Sequence, residues 1–146
     1  MTGEILLEAL LREMNPVLQD GEYVFCSVEP AKASELSLTP IGQFIEKEGL
    51  TIIVEKTDAL ANRLEFSYLS KMITLEIHSS LNAIGFLAAI TEKLAAKGVS
   101  VNVVSAYFHD HLFVPVHRAG EAMTILNTLS ETASNQEKYH ERKILP

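Results

Sequence analysis

The spacing of apolar positions changes along the chain, and each change marks an element. GEILLEALLREMNP places Ile5, Leu6, Ala9, Leu10 and Met14 on one helical stripe, with Pro16 just past its end. Gly21 marks a turn, and Tyr23 to Val28 is a β-rich run that is apolar on both sides of the alternation. That pattern predicts a strand covered on both faces. SLTPIGQFIEKEG predicts a short helix, capped by Thr39, entered at Pro40 and closed by a left-handed Gly49. LTIIVEK reads as the next strand, TDALANR as one or two helical turns, and LEFSYL as a further strand.

In the second half KMITLEIH alternates strictly. Ile73, Leu75 and Ile77 face one way, and Met72, Thr74, Glu76 and His78 the other, as in a half-buried antiparallel strand. After the polar SSLN loop, AIGFLAAITEKLAAKG predicts a helix that buries Ala83, Leu87, Ile90 and Leu94, with Gly98 as its stop. Val99, Val101 and Val103 then point inward, HLFVPV forms a short strand, and RAGEAMTILNTLS buries Ala122, Ile125, Leu126 and Leu129 at helical spacing. The tail ETASNQEKYHERKILP is polar until Ile144 and Leu145, which leaves a frayed end or a last edge strand. Strand, loop, Ile-Gly, helix, Gly and strand occur in both halves, around Ile41-Gly42 and Ile84-Gly85. EKEGLTIIVEK and AAKGVSVNVVS fall at the same place, as in a diverged internal duplication.

Composition narrows the function classes. The chain has 146 residues, 47% of them hydrophobic and 21% charged, so it can fill a core. Its net charge of −7 would repel a phosphate backbone and argues against nucleic acid. Cys26 stands alone, so no intrachain disulfide is possible, which suits a reducing compartment. The N-terminal stretch lacks the basic region and cleavage site of a signal peptide. No apolar run approaches the roughly 20 residues of a membrane span. The expectation is a cytoplasmic protein with no membrane partner.

The segment ITLEIHSSLNAIGFLAAITEKLAAKGVSVNVVSAYFHDHLFVP carries a sharper signal. A strand ends at a loop, Gly85 opens a helix, and Gly98 precedes the next strand. Then come Ser105-Ala106-Tyr107 and, two residues on, Asp110-His111-Leu112-Phe113-Val114. This pattern resembles the ACT superfamily, in particular the subgroup found in the cytosolic arginine sensors of the TOR pathway and in short bacterial tandem-ACT proteins. LLREMNPVLQDGEYVFCSV is similar to the N-terminal module of those bacterial proteins, so the likeness covers residues 4 to about 130. Where many ACT domains have an acidic residue and a proline before the glycine, this chain has Asn82-Ala83-Ile84-Gly85.

The resemblance implies an α+β fold of two tandem ferredoxin-like (βαββαβ) modules with antiparallel sheets, the first incomplete or preceded by an extra N-terminal helix. Residues 1–69 would form the first module, 70–133 the second, and 134–146 a polar tail or edge strand. It also implies a small zwitterion, such as an amino acid, as ligand. Ser79, Ser80, Leu81, Asn82 and Gly85 would run into a helix N-terminus, whose N–H groups and dipole suit a carboxylate. Asp110, beside Ser105, would accept hydrogen bonds from the ammonium. Each residue also has a plain structural role: an N-cap for the serines and Asn82, close packing for Gly85, a β-turn for Asp110.

Three functions stay open at this point. The first is a non-enzymatic, amino-acid-binding regulatory protein that needs no cofactor or metal and acts through self-association or a protein partner. The second is a protein–protein interaction module without a ligand. The third is a metal-binding protein or small metal-dependent enzyme that uses His78, His109 and His111. Cys26, among apolar neighbours, reads as a buried small hydrophobe rather than a nucleophile.

Overall fold

The computed structural model describes residues 3–79 and 81–144, with side chains from residue 6 to 143. The side chains of Ile5, Ser80, Ile144 and Leu145 lie outside this described set. The chain runs α1 (Gly3–Glu13), β1 (Pro16–Leu18), β2 (Tyr23–Val28), α2 (Pro30–Ala33), β3 (Gly42–Ile45), β4 (Leu50–Glu55), α3 (Lys56–Ala61) and β5 (Leu69–Leu75). Then follow α4 (Phe86–Ala96), β6 (Asn102–Ser105), β7 (Asp110–Pro115), a 3-10 turn (Val116–Arg118) and α5 (Ala119–Ile144).

All seven strands join one antiparallel sheet, in the order β3-β4-β2-β5-β7-β6, with β1 also paired to β5. The order is palindromic. From either edge a hairpin leads to an inner strand, and the inner strands β2 and β5 meet at the centre through Tyr23↔Ser70 and Val24↔Leu69. The fold is thus α+β with two ferredoxin-like halves sharing a sheet, and α1 is the extra N-terminal helix.

Alternation sorts the strand residues between two faces. On one face Ile73, Leu75, Leu112 and Val114 pack under α1, α4 and α5, with Leu10, Met14, Ile90, Leu94 and Leu126 buried among them. On the same face of the first half Val24, Cys26, Val28, Ile52 and Val54 lie under Ala59 of α3. Each fully buried side chain of this size contributes about 1.5–3 kcal/mol. Arg118 closes the end of α4, donating to the carbonyls of Lys97 (2.8 Å) and Gly98 (3.3 Å). The opposite face is aromatic, with Tyr23, Phe25 and Phe113 packed edge to face around Ile53 and Met72. The sheet curls over this face until Ile41 and Gly42 at one edge and Val104 and Ala106 at the other line the same cavity.

Several expectations change. In α1, Leu10 and Leu11 are buried, with Met14 just past its end, while Leu6 is 46% exposed, so the inward stripe is rotated from the expected one. The helix expected from Thr39 to Gly49 is instead β3 and its turn. A helix that short has little intrinsic stability, whereas β3 satisfies the outer edge of β4 from Gly42↔Ile53 to Ile45↔Leu50. Gly49 belongs to the turn: a Cβ there would stand 2.9 Å from Ser27 Oγ and 3.1 Å from the Val28 carbonyl oxygen. The strand expected across LEFSYL begins only at Leu69. Leu64 and Phe66 pack against the first core, but their backbone joins no ladder.

The tail forms neither a frayed end nor a strand through residue 144; it continues α5. The edge of β5 that a final strand would occupy is already taken by β1 and β2. Ala133 is buried, Ser130 Oγ donates to the Arg12 carbonyl at 2.8 Å, and Arg12 pairs with Glu137 at 2.6 Å, all of which hold α5 against α1. The repeat is also offset from its expected register, because β4 corresponds to β7 and β3 to β6. Gly42 therefore answers Asn102 rather than Gly85.

Candidate functional site

The second half builds a cavity of about 140 Å3 where the segment after β5, the first turn of α4 and the β6–β7 hairpin converge. Between Leu75 and Phe86 lie ten residues, 76–85, of which Ser79, Leu81, Ala83 and Gly85 line the cavity. Ser79 is fixed within it by its own N–H, which donates to the Ile77 carbonyl at 2.9 Å. Its hydroxyl donates to Asp110 Oδ2 at 3.0 Å. Asp110 opens β7 opposite Ser105 and Leu75, on the same face as Leu112 and Val114, and is only 6% exposed. A carboxylate is placed there because the strand begins at its position, at the rim of the core rather than inside it.

Gly85 is the N-cap of α4, with φ +85°. That left-handed conformation is what calls for glycine, since a Cβ would meet only Leu7 Cδ2 at an ordinary 3.7 Å. Having no side chain, Gly85 leaves the first turn without a side-chain cap. The expected capping by Ser79 or Asn82 therefore does not occur, because the helix starts several residues further on. The positive end of the helix dipole faces the same cavity.

The structure brings Ser79, Leu81, Gly85, Ser105 and Asp110 together in the cavity lining. Asn82 is exposed and stands outside that lining, and Ser80 lies outside the described residues. Ala83, Phe86, Leu87 and Ala88 complete the walls. None of these four is among the expected site residues, and helical spacing assigns Ala83 and Leu87 to the core, although the place of Phe86, Leu87 and Ala88 in the first turn after the loop is a legible signal.

Two of the three histidines meet and the third turns away. The rings of His78 and His109 are 5.0 Å apart and those of His109 and His111 6.5 Å. His111 points to the aromatic face, where its Nδ1 lies 3.0 Å from Thr74 Oγ1. Burial lowers its pKa; neighbouring His109 adds to the effect and Asp110 opposes it. Among the described residues no three His, Cys, Asp or Glu side chains group closely enough to hold a metal. Cys26 is buried, which pushes its thiol pKa up. No helix among the described residues is long and apolar enough to cross a membrane.

Two family models, each describing an ACT domain, match residues 2–71 and 69–128. The chain is 44% identical to a Vibrio cholerae protein whose crystal structure is described as one of unknown function and a possible transport protein. That likeness covers 88% of this chain and 99% of the other, with a TM-score of 0.79. An Agrobacterium tumefaciens protein shares the fold at 14% identity and a TM-score of 0.63, over 79% of this chain and 87% of that one. The ligand-free regulatory subunit of aspartate kinase from Thermus thermophilus does so at 10% identity and 0.56, over 78% and 95%. Among curated proteins there is no match. ACT domains are regulatory, ligand-binding modules, and neither family match is to a catalytic domain.

Proposed function

Because this chain belongs to the ACT-domain family and carries two such modules in tandem, we propose that it is a regulatory protein whose second module binds an amino acid or a similar small zwitterion. One observation carries the reading: a buried carboxylate, Asp110, and the N-terminus of α4 meet in a single cavity. A zwitterion has one end for each. Its carboxylate would sit against the first-turn N–H groups of α4. Its ammonium would donate to Asp110 and to the Ser105 hydroxyl across the strand pair. A charge-assisted bond of that kind is worth about 1.5–3 kcal/mol. The ligand would bridge the loop over residues 79–85 and the β6–β7 hairpin, and so favour one packing of the two over others. The signal would pass to a protein partner or to a second copy of the chain.

Thermal unfolding with each common amino acid in turn tests this. Ligand at a hundred times its dissociation constant adds about 2.7 kcal/mol, a rise of about 5–10 °C in Tm for a domain of this size. At least one amino acid is expected to give such a rise, and Asp110→Asn to abolish it. A flat response across the panel, or an unchanged response in Asp110→Asn, overturns the assignment.

A further inference from the structure

The aromatic face of the sheet holds a second cavity, also about 140 Å3, whose walls come from both modules. Ile41 and Gly42 lie on its β3 side and Val104 and Ala106 on its β6 side. Ile53, Met72 and Phe113 lie between those edges, and His111 is the one polar side chain in the lining. Gly42 helps to keep the space open, because a Cβ there would already press on Ile53 Cδ1 at 3.3 Å. A volume of this order takes up benzene when enclosed in a protein core; here Ile41 is 51% exposed, so the cleft is open to solvent on one side. No Lys, Arg, Asp or Glu lines the wall, so a charged guest would lose its hydration without a counter-ion. With Nδ1 of His111 engaged by Thr74, the other ring nitrogen, Nε2, is the polar atom left to meet a guest.

The geometry points to a second ligand site here, for a small uncharged aromatic molecule that bears one hydroxyl or N–H group. Such a guest would lie between the two edges of the curled sheet, its ring against Met72 and Phe113 and its polar group on His111. The site is distinct from the one around Asp110, yet it shares a wall with it. Ser105 and Asp110 turn to the helix-covered cavity, while Ala106 and His111, next to them in sequence, turn to this one.

Phenol and benzene are the probes, and an NMR titration of the whole chain is the measurement. Saturable shifts of the Met72 methyl and the His111 ring are expected, with phenol held about three- to tenfold tighter than benzene through its added hydrogen bond. Ala106→Leu, which adds bulk to one wall, should remove the saturable shift. Gly42→Val does the same from the opposite edge and guards against misfolding of the first variant. Ser79→Ala, which alters the Asp110 site without touching His111, should leave phenol binding unchanged, which separates this site from the zwitterion site whatever becomes of the latter. The proposal is overturned if neither probe gives a saturable shift, or if both cavity-filling variants bind phenol as the parent does.

Discussion

The hairpins β3–β4 and β6–β7 have the same design and opposite contents. Each closes over four residues, from Ile45↔Leu50 in the first and from Ser105↔Asp110 in the second. Each turn is tied by the same bond, Glu46 N–H to the Gly49 carbonyl at 2.9 Å and Ala106 N–H to the His109 carbonyl at 3.0 Å. Leu50 stands beside Val28 and packs against the first core, whereas Asp110 stands beside Leu75 and opens into a cavity. Upstream, one residue, Glu29, separates β2 from α2, against the ten-residue loop between β5 and α4. The backbone frame is therefore common to both modules. What makes a polar site of one is two residue types and a loop that reaches a full helix, since α2 has only four residues.

The most forceful way to break the comparison is to give the second hairpin the contents of the first. Ser105→Ile with Asp110→Leu removes a buried carboxylate whose visible partner is the Ser79 hydroxyl. The substitution takes a carboxylate out of the rim of the core, and Ser79, which is only half-buried, can turn its freed hydroxyl to water. The double variant should fold with an unchanged or higher Tm, and any amino-acid affinity found for the parent should fall by about tenfold or more. A large loss of Tm would mean that the polar pair holds the fold together, and the two hairpins would not be interchangeable.

A middle-sized effect is expected at the turns. Gly49 and His109 hold the same position, but Gly49 lies against β2, with Ser27 Oγ only 2.9 Å from where a Cβ would be. Gly49→Ala should cost about 1–3 kcal/mol through that clash and its strained backbone. His109→Ala, at a position that already carries a Cβ, should stay within about 0.5 kcal/mol. Urea unfolding of the two variants makes the check, and equal costs would show that the turns are packed alike.

The two halves were also unequally legible. In the second, periodic segments met clear elements: KMITLEIH alternates and forms β5 up to Leu75, with Glu76, Ile77 and His78 passing into the loop, and Gly98 at φ +70° follows α4 as expected. Five of the seven residues expected at the site converge there, because the Ser105–Ala106–Tyr107 pattern and the loop before Gly85 are local signals. In the first half Thr39, Pro40 and Gly49 mimic helix ends around a segment that is a hairpin. Local propensity there is overridden by an open strand edge, which no local pattern reveals. The same holds for the tail, whose strand had no vacant edge to join, and for the aromatic-face cavity. The latter depends on β3 and β6, sixty residues apart in the sequence, curling toward each other across the four strands between them.

The smallest expected difference concerns the pair Thr51 and His111, which hold equivalent positions one residue into β4 and β7. Only the second titrates. Burial disfavours the charged imidazole of His111 and places its folded pKa below its ordinary value. The unfolded chain, with an ordinary value of about 6.5, then binds the proton more readily. Stability from this group is thus complete above that value. It is lost as pH falls from there toward the lower folded pKa, and it changes no further below it. His111→Gln, which keeps a polar partner for Thr74 Oγ1, should flatten the decline in unfolding free energy below about pH 6.5 relative to the parent. Denaturant curves collected across that range decide it. Parallel pH profiles for parent and variant would mean that His111 is as well solvated as an open surface histidine, and that the curl of the sheet shields it less than its position implies.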